Sequence, residues 1–181
     1  MHFGLLMKSL RKSNQRKMPK SIEAPLNLHT AVVQPEWLDY NRHMTEGYYG
    51  VAFGYVTDAL MDFVGLDAAY RTRTGCTIYT VETHICFLRE LKVASPLRFT
   101  TQLLGFDAKR LHIFHQMFQA EAGYLAATME AMLLHVNAEP AVVAMPPEIL
   151  TTVEAVFQAH TALPRPSQAG RAITLKQRNS S

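Results

Sequence analysis

The hydrophobic positions of this chain change their period once, from helical spacing to the alternation of strands. Between Tyr48 and Val64, apolar residues recur at intervals of three and four, which predicts one long helix with a continuous buried face. Gly65 follows directly and suits the C-terminal cap of that helix. The predicted buried face consists of Tyr49, Ala52, Phe53, Val56, Leu60, Phe63 and Val64.

Beyond the helix, alternating apolar and polar residues predict four long strands. These strands cover residues 76–89, 97–106, 111–118 and 125–136. Turn residues at 107–110 and 122–123 predict hairpins between the last three. A short strand at 29–34 precedes the helix, and Pro146-Pro147 open a second, shorter helix near the C-terminus.

Three glycines, Gly47, Gly50 and Gly54, form a small-residue stripe along the long helix. A glycine inside a helix costs about 1 kcal/mol relative to alanine. We therefore expect another backbone to approach this stripe closely and to compensate for that cost.

The order of the elements predicts an α+β domain. A helix this apolar has to be covered by the strands that follow it, and the simplest arrangement is a curved antiparallel sheet wrapped around the helix. That order is typical of the hotdog fold. One such sheet leaves edges unpaired, so we expect a homodimer joined edge to edge, or a dimer of dimers.

Composition is that of an ordinary soluble globular protein. The 181 residues are 48% hydrophobic and 18% charged, which fits one domain, placed at residues 25–163. No stretch approaches the roughly 18 apolar residues of a membrane span, so no membrane partner is expected. Two cysteines, Cys76 and Cys86, share one predicted strand and lie too far apart to bridge, which favours buried free thiols and a cytoplasmic location.

The basic character of the chain belongs to its N-terminus. Six of the 18 lysines and arginines fall within residues 1–20, which contain no acid, and the remainder carries 12 basic against 15 acidic side chains. We interpret residues 1–24 as a basic, solvated tail and expect no nucleic-acid partner. Residues 164–181 are polar and are predicted to form a flexible C-terminal tail.

The segment from Trp37 to Met44 carries the candidate chemistry. It places one carboxylate, Asp39, a few residues before the start of the long helix. The free N–H groups of a helix N-terminus polarise a carbonyl, and a carboxylate beside them acts as a base or a nucleophile. These are the two main parts needed for acyl transfer.

The same stretch resembles the 4-hydroxybenzoyl-CoA thioesterase group of hotdog enzymes. In that group an aspartate is followed by glycine three residues later, by a His-Val or His-Met pair, and by a tyrosine in the helix. Asp39, His43, Met44 and Tyr49 match this pattern, whereas Arg42 stands where glycine is usual and Thr45 where asparagine is common.

Four longer segments resemble a subgroup of betainyl-CoA thioesterases and the thioesterase domain fused to some carnitine dehydrogenases. The segments are residues 35–41, 79–85, 103–112 and 132–136. The resemblance implies hydrolysis of a short acyl-CoA, betainyl-CoA, to glycine betaine and CoA during carnitine degradation. It implies no cofactor other than the CoA of the substrate.

The resemblance also implies roles for particular residues. Asp39 is the general base or the nucleophile, and the backbone amide of Glu46, or of its neighbours Thr45 and Gly47, holds the developing oxyanion. His43 orients the loop or the substrate. Losing one such amide donor typically costs about 3 kcal/mol of transition-state stabilisation.

A trimethylammonium group on the substrate calls for aromatic rings and negative charge. Candidates for this substrate-binding role are Trp37, Tyr40, Tyr48 and Tyr79, with Glu82 or Glu46 as the counter-charge. Ordinary core packing of these rings is an equally good interpretation. Lys109 and Arg110, in a predicted hairpin turn, and also Arg71 and Arg73, are weaker candidates for binding the CoA phosphates.

Two other functions stay open at this point. Asp39, Asn41 and His43 partly match the pattern of a hotdog enoyl-CoA hydratase, although the histidine falls one residue early. A non-catalytic acyl-CoA-binding module on the same fold is the other alternative. No metal site is expected, because the strand histidines His84, His112, His115 and His135 lack metal-ligand spacing.

Overall fold

The computed structural model describes residues 21–175. Five antiparallel strands form one curled sheet in the order β1-β3-β4-β5-β2. Their bounds are β1 Thr30–Val32, β2 Thr77–Phe87, β3 Pro96–Phe106, β4 Arg110–Gln119 and β5 Leu125–Val136. The α+β hotdog prediction is confirmed, and each long strand ends within two residues of its predicted bound. The basic segment 1–20 lies outside the described residues.

Helix α1, Glu46–Val64, packs against the inner face of the sheet. Of the predicted apolar face only Phe63 stays half-buried, and the rest lies in the core. Gly65 ends the helix in the left-handed conformation with φ 94°, as a C-terminal glycine cap does. Helix α3, Pro147–His160, packs beside β3, where the N–H of Leu103 donates to His160 Nδ1 at 3.0 Å.

Helix α2, Ala68–Thr74, was not predicted from the sequence. Its seven residues are too few to show a helical period, but the residues at its two ends are typical helix caps. Asp67 accepts from the N–H of Tyr70 at 2.9 Å, and Gly75 closes the helix at φ 68°. Tyr70 is buried, and its hydroxyl bonds His135 Nε2 at 2.8 Å.

The expectation of a backbone packed on the glycine stripe is wrong within the described residues. A Cβ placed on Gly47 or Gly54 would meet nothing within 4 Å, and one on Gly50 would meet only the Ile85 side chain at 3.9 Å. The stripe therefore leaves open space beside α1, and that space forms part of the candidate site.

Strand β2 is one edge of the sheet and pairs only with β5 among the described strands. Its register shifts between Thr80 and Glu82, which marks Val81 as a bulge. Exposed apolar side chains along this edge include Tyr79, Val81 and Phe87. Both cysteines are free and half-buried rather than fully buried, with Cys76 just before β2 and Cys86 within it.

Candidate active site

A tight loop holds Asp39 beside the start of α1. The N–H of Asp39 donates to the carbonyl of His43 at 2.9 Å, and the N–H of Arg42 donates to the carbonyl of Asp39 at 3.0 Å. The N–H of Thr45 donates to the carbonyl of Trp37 at 2.9 Å, which ties the two ends of the loop together. The loop is therefore fixed by backbone bonds on both sides of the carboxylate.

The Asp39 carboxylate is oriented through one of its oxygens. Oδ1 accepts from the N–H of Asn41 at 2.8 Å and from the N–H of His43 at 3.2 Å. Within residues 21–175, Oδ2 accepts no hydrogen bond and the side chain forms no ion pair. One oxygen thus orients the group, and the other stays available for a proton or for a carbonyl carbon.

The first turn of α1 presents open backbone donors. Thr45 is the N-cap residue, but its side chain caps no amide, and its own N–H is already bonded to Trp37. This removes the Thr45 amide from the three predicted oxyanion donors. In the described part of the chain, the amides of Glu46 and Gly47 have no partner, and both residues are exposed. These two amides, together with the helix dipole, favour a developing negative charge.

His43 contributes to the loop through its backbone. Its imidazole Nε2 lies 3.4 Å from Glu90 Oε2, and the side chain is 34% exposed. An imidazole engaged with Glu90 is poorly placed to serve as the base of a hydratase. The role of the His43 side chain in orienting the loop or the substrate stays a prediction.

Trp37 and Tyr48 are the two predicted binding aromatics that the fold brings together. Their rings stack at 5.6 Å with an interplanar angle of 14°, and both are half-buried against the core. Tyr40, in the same loop, is 93% exposed. Tyr49, the tyrosine of the family pattern, is buried, and this burial raises its pKa to about 12. Tyr49 is therefore a core residue.

Tyr79 and Glu82 lie apart from this aromatic pair. They are paired with Leu134 and Met132, whose neighbour Leu133 faces the core. Because directly paired residues point to the same side of a sheet, Tyr79 and Glu82 point to the outer face. Glu82, the predicted counter-charge, is exposed and forms no ion pair with any described residue.

The predicted phosphate ligands Lys109 and Arg110 lie at the far end of β4 from the Asp39 loop. The loop contacts the opposite end of the sheet, where Met44 N–H donates to the carbonyl of Leu91 at 2.8 Å. Ten residues of strand span roughly 33 Å. In addition, Arg110 is engaged with Asp107 at 2.6 Å. The role of this turn in CoA binding stays a prediction.

A groove runs along α1 from Gly50 to Met61, beside the glycine stripe. It has a volume of about 320 Å³ and lies between α1 and the edge strand β2. Gly50 and Gly54 form part of its wall, and Gly50 is about 6 Å along the helix from Glu46. The groove therefore begins about one helical turn beyond the Glu46 amide. The glycine stripe is visible in the sequence, but the cavity is not, because the cavity also depends on the position of β2.

The strand histidines are engaged in structural hydrogen bonds. His115 and His135 are buried, and His112 Nε2 bonds Glu130 Oε1 at 2.7 Å. Across residues 21–175, no group of three or more His, Cys, Asp or Glu residues could hold a metal ion. No described helix has the length and hydropathy of a membrane span.

The fold and the site define the class of protein. The profile of the thioesterase-like superfamily matches residues 33–153, and the chain belongs to that superfamily. It is a thioester hydrolase.

Two relatives within the superfamily are similar to this chain over most of its length. The chain is 43% identical to the betainyl-CoA thioesterase of Pseudomonas aeruginosa over 83% of this chain and 95% of the relative. It is 45% identical to the L-carnitine dehydrogenase/betainyl-CoA thioesterase of Agrobacterium fabrum over 84% of this chain, but spans only 32% of that longer protein.

Two solved structures are similar over most of this chain. A Staphylococcus aureus protein in complex with CoA superposes with a TM-score of 0.79 at 27% identity, covering 86% of this chain and 99% of that one. A proposed thioesterase from Pseudomonas putida KT2440 gives a TM-score of 0.75 at 34% identity, with the same coverage of both chains.

Arg42 adopts the left-handed conformation, with φ 62°, in which glycine is unstrained. This explains why the family pattern has glycine at this position, since a side chain there costs roughly 1–2 kcal/mol. We expect Arg42→Gly to keep full activity and to change the free energy of unfolding by less than about 1 kcal/mol, because glycine also adds freedom to the unfolded chain. Arg42→Val is expected to lose about 1–3 kcal/mol.

Ala94 provides the matched control, because it is the other described non-glycine residue with positive φ, also 62°, and it lies outside the Asp39 loop. Urea unfolding and kcat/KM should be measured for Arg42→Gly, Arg42→Val and Ala94→Gly. A large loss of activity in Arg42→Gly, with Ala94→Gly unaffected, would show that the arginine side chain itself is needed.

Proposed function

We propose that the protein hydrolyses betainyl-CoA to glycine betaine and CoA. The observation that carries the reaction is the Asp39 carboxylate, held through Oδ1 with Oδ2 open, beside the unpaired amides of Glu46 and Gly47. The betainyl acyl group is supported by the 43% identity to a betainyl-CoA thioesterase that the chain covers almost completely.

In the proposed reaction the thioester carbonyl oxygen accepts from the amides of Glu46 and Gly47. Asp39 Oδ2 takes a proton from water, and the hydroxide adds to the carbonyl carbon. The tetrahedral intermediate then breaks the C–S bond, and the thiolate of CoA takes up the proton. Alternatively, Oδ2 attacks the carbonyl carbon, expels the thiolate and forms a mixed anhydride that water then hydrolyses.

The reaction is tested with a panel of CoA thioesters. Betainyl-CoA, acetyl-CoA, butyryl-CoA and crotonyl-CoA are supplied in turn, and both free thiol and hydrated product are measured. Release of thiol from betainyl-CoA supports the proposal. Hydration of crotonyl-CoA without thiol release would instead establish a hydratase, and binding without turnover a non-catalytic module.

We propose that the trimethylammonium group is bound by Trp37, Tyr48 and Glu46. In betainyl-CoA the cation lies only two bonds from the carbonyl carbon, so its ligands have to lie close to the oxyanion amides. Glu46 carries one of those amides, and within the described residues its carboxylate has no ion pair. Trp37 is tied to the neighbouring Thr45. Tyr79 and Glu82, on the outer face, are less suited to this role.

Removing the aromatic face should impair the cationic substrate selectively. A desolvated cation–π contact contributes about 2 kcal/mol, so Trp37→Ala is expected to lower kcat/KM for betainyl-CoA by about thirtyfold. The neutral isostere tert-butylacetyl-CoA has the same shape, and its kcat/KM should change far less. Glu46→Gln, which keeps the backbone amide and removes the charge, should show the same selectivity.

Trp37→Phe is the matched control, because it keeps a π face in the same place and should restore most of the preference. Equal losses on both substrates would mean that Trp37 only shapes the pocket and would exclude the aromatic site.

We propose that two copies join through β2 into a homodimer in the cytoplasm. Support comes from the unpaired edge of this 11-residue strand and from the exposed Tyr79, Val81 and Phe87 along it. The groove also lies next to β2, so a partner strand would close its open side. Sedimentation velocity of the full chain tests this assembly: the mass of a dimer supports it, and the mass of a monomer refutes it.

A further inference from the structure

A second pocket lies beside the Asp39 loop, at the connection between β2 and β3. The carbonyl of Leu91 in this connection accepts from the N–H of Met44 at 2.8 Å, and Lys92 pairs with His43 in an isolated β-bridge. The pocket, named the β2–β3 pocket here, has a volume of about 270 Å³. Its walls include Arg89, Glu90, Lys92, Ser95, Gln119 and Tyr124.

Arg89 is held in place by its neighbours. Its N–H donates to the carbonyl of Ala126 at 3.0 Å, and its guanidinium lies over the Tyr124 ring, 4.0 Å from the ring centroid. The Tyr124 hydroxyl donates to the carbonyl of Glu90 at 2.9 Å, which fixes the ring on which the guanidinium stacks. Among the described residues, no carboxylate forms an ion pair with Arg89. The N–H groups at the edge of the guanidinium are therefore free to bind a phosphate in a bidentate manner.

The β2–β3 pocket carries a net positive charge. Lys92 supplies a second cation, which is exposed and has no ion pair across residues 21–175. Glu90 supplies a negative charge, but its Oε2 lies 3.4 Å from His43 Nε2. Ser95 adds a hydroxyl donor to the wall. Two cations against one carboxylate favour a ligand with several negative charges.

The position of the pocket suits the phosphates of a CoA thioester. The N–H of Asp39 donates to the carbonyl of His43, and His43 in turn pairs with Lys92. Each pairing spans about one strand spacing, so about 10 Å separates the backbones of Asp39 and Lys92. The pantetheine arm separates the thioester from the phosphates, so the phosphate ligands have to lie beyond the reacting atoms. The Lys109 turn is less suited, because it lies at the far end of strands that span roughly 33 Å.

We propose that Arg89 and Lys92 bind the phosphates of CoA in the β2–β3 pocket. Arg89 holds a phosphate through two N–H groups, and Lys92 adds a point charge. This inference rests on the proposed function, because that function makes a CoA thioester the substrate. The phosphates do not change during hydrolysis, so this site lowers KM and leaves kcat unaffected.

Binding of CoA without turnover tests the site directly. Isothermal titration with CoA is expected to give a Kd about tenfold higher in Arg89→Ala and about threefold higher in Lys92→Ala than in the wild type. Pantetheine, which lacks the phosphates, should bind all three proteins equally. Arg98→Ala is the matched control, because Arg98 stacks on Phe118 at 4.3 Å in the same way but lies outside the pocket.

Turnover gives a second readout. For betainyl-CoA, Arg89→Ala should raise KM by about the same tenfold and keep kcat within about twofold. The N-acetylcysteamine thioester of betaine has no phosphates, so its kcat/KM should be the same in the variant and the wild type. Dephospho-CoA distinguishes the two sources of charge. A loss in Arg89→Ala that persists with dephospho-CoA assigns the diphosphate, and a loss that disappears assigns the 3′-phosphate.

The outcomes separate this site from the proposed function. Unchanged CoA affinity in both pocket variants overturns the site, and so does an equal loss of CoA and pantetheine affinity. A loss found only in Lys109→Ala also overturns it. If CoA binding responds as expected but no betaine thioester is hydrolysed, the phosphate site is supported and the proposed function fails. If Arg89→Ala does not fold, Arg89→Gln takes its place, because it removes the charge and keeps part of the packing on Tyr124.

Discussion

Replacing Asp39 by asparagine is expected to lower kcat/KM for thioester hydrolysis by about 10²–10⁴-fold, the contribution of a positioned general base. Asparagine is nearly isosteric, and its Oδ1 still accepts from the N–H groups of Asn41 and His43, so the loop should keep its shape. It has no oxygen that takes up a proton or attacks a carbonyl. Release of free thiol measures the effect, and the thermal melting temperature serves as the control for folding.

A single turnover in isotope-labelled water separates the two roles of Asp39. Labelled oxygen in the Asp39 side chain identifies a mixed anhydride, whereas label only in the released acid identifies a general base. If Asp39→Asn stays within about tenfold of the wild-type rate, the reaction does not depend on this carboxylate, and both roles are excluded.

Acid should destabilise the protein through His115, which joins α1 to the sheet. This side chain is fully buried, with Nε2 3.1 Å from Thr57 Oγ1 and Nδ1 2.8 Å from Thr101 Oγ1. Since the Thr57 hydroxyl donates to the carbonyl of Phe53, it accepts from Nε2–H, which assigns the neutral tautomer. Burial lowers the pKa of His115 from 6.5 to about 3.

As the pH falls, His115 in the unfolded chain therefore takes up a proton at a higher pH than His115 in the folded protein. The contribution of the neutral histidine is complete above the unfolded-state pKa of 6.5 and is lost progressively toward the folded-state pKa of about 3. Between about pH 7.5 and about pH 5, this one group should remove about 2 kcal/mol from the free energy of unfolding. Urea titrations at fixed protein concentration measure the difference.

His115→Gln is the matched variant, because an amide still offers both a donor and an acceptor to the two threonines. It should cost about 1–3 kcal/mol at neutral pH, but should flatten the acid dependence by about the 2 kcal/mol that His115 contributes. Burial also lowers the pKa of His160, which acts in the same direction and is present in both proteins. An equally steep acid dependence in His115→Gln would assign the effect to other groups.

The long elements were predictable because each one repeats its pattern many times. The 19 residues of α1 and the strands of ten or more residues each carry several periods of burial. Helix α2 has seven residues and was missed for that reason. One detail of the Asp39 loop was also predictable. Arg42 stands where the family pattern has glycine, and this residue has a positive φ.

The arrangement of the candidate site was less predictable, because it depends on contacts between distant segments. Alternation shows that Glu82 shares a side with its pairing partner, but only the position of α1 shows that this side faces outward. The distance from Lys109 to the Asp39 loop likewise depends on which end of the sheet each turn occupies. The hydrogen bond from the N–H of Gly170 to Glu130 Oε2 was not predictable either, because Glu130 lies on a distant strand.

The central claim is that this acyl-CoA thioesterase selects a cationic acyl group, which it binds beside Asp39 and the first turn of α1. The most direct test is the ratio of kcat/KM for betainyl-CoA to that for tert-butylacetyl-CoA in the wild-type protein. We predict a ratio of about thirty or more, because the desolvated cation–π contact alone contributes about 2 kcal/mol to the cationic substrate. A ratio near one, or a preference for the neutral substrate, would contradict the account.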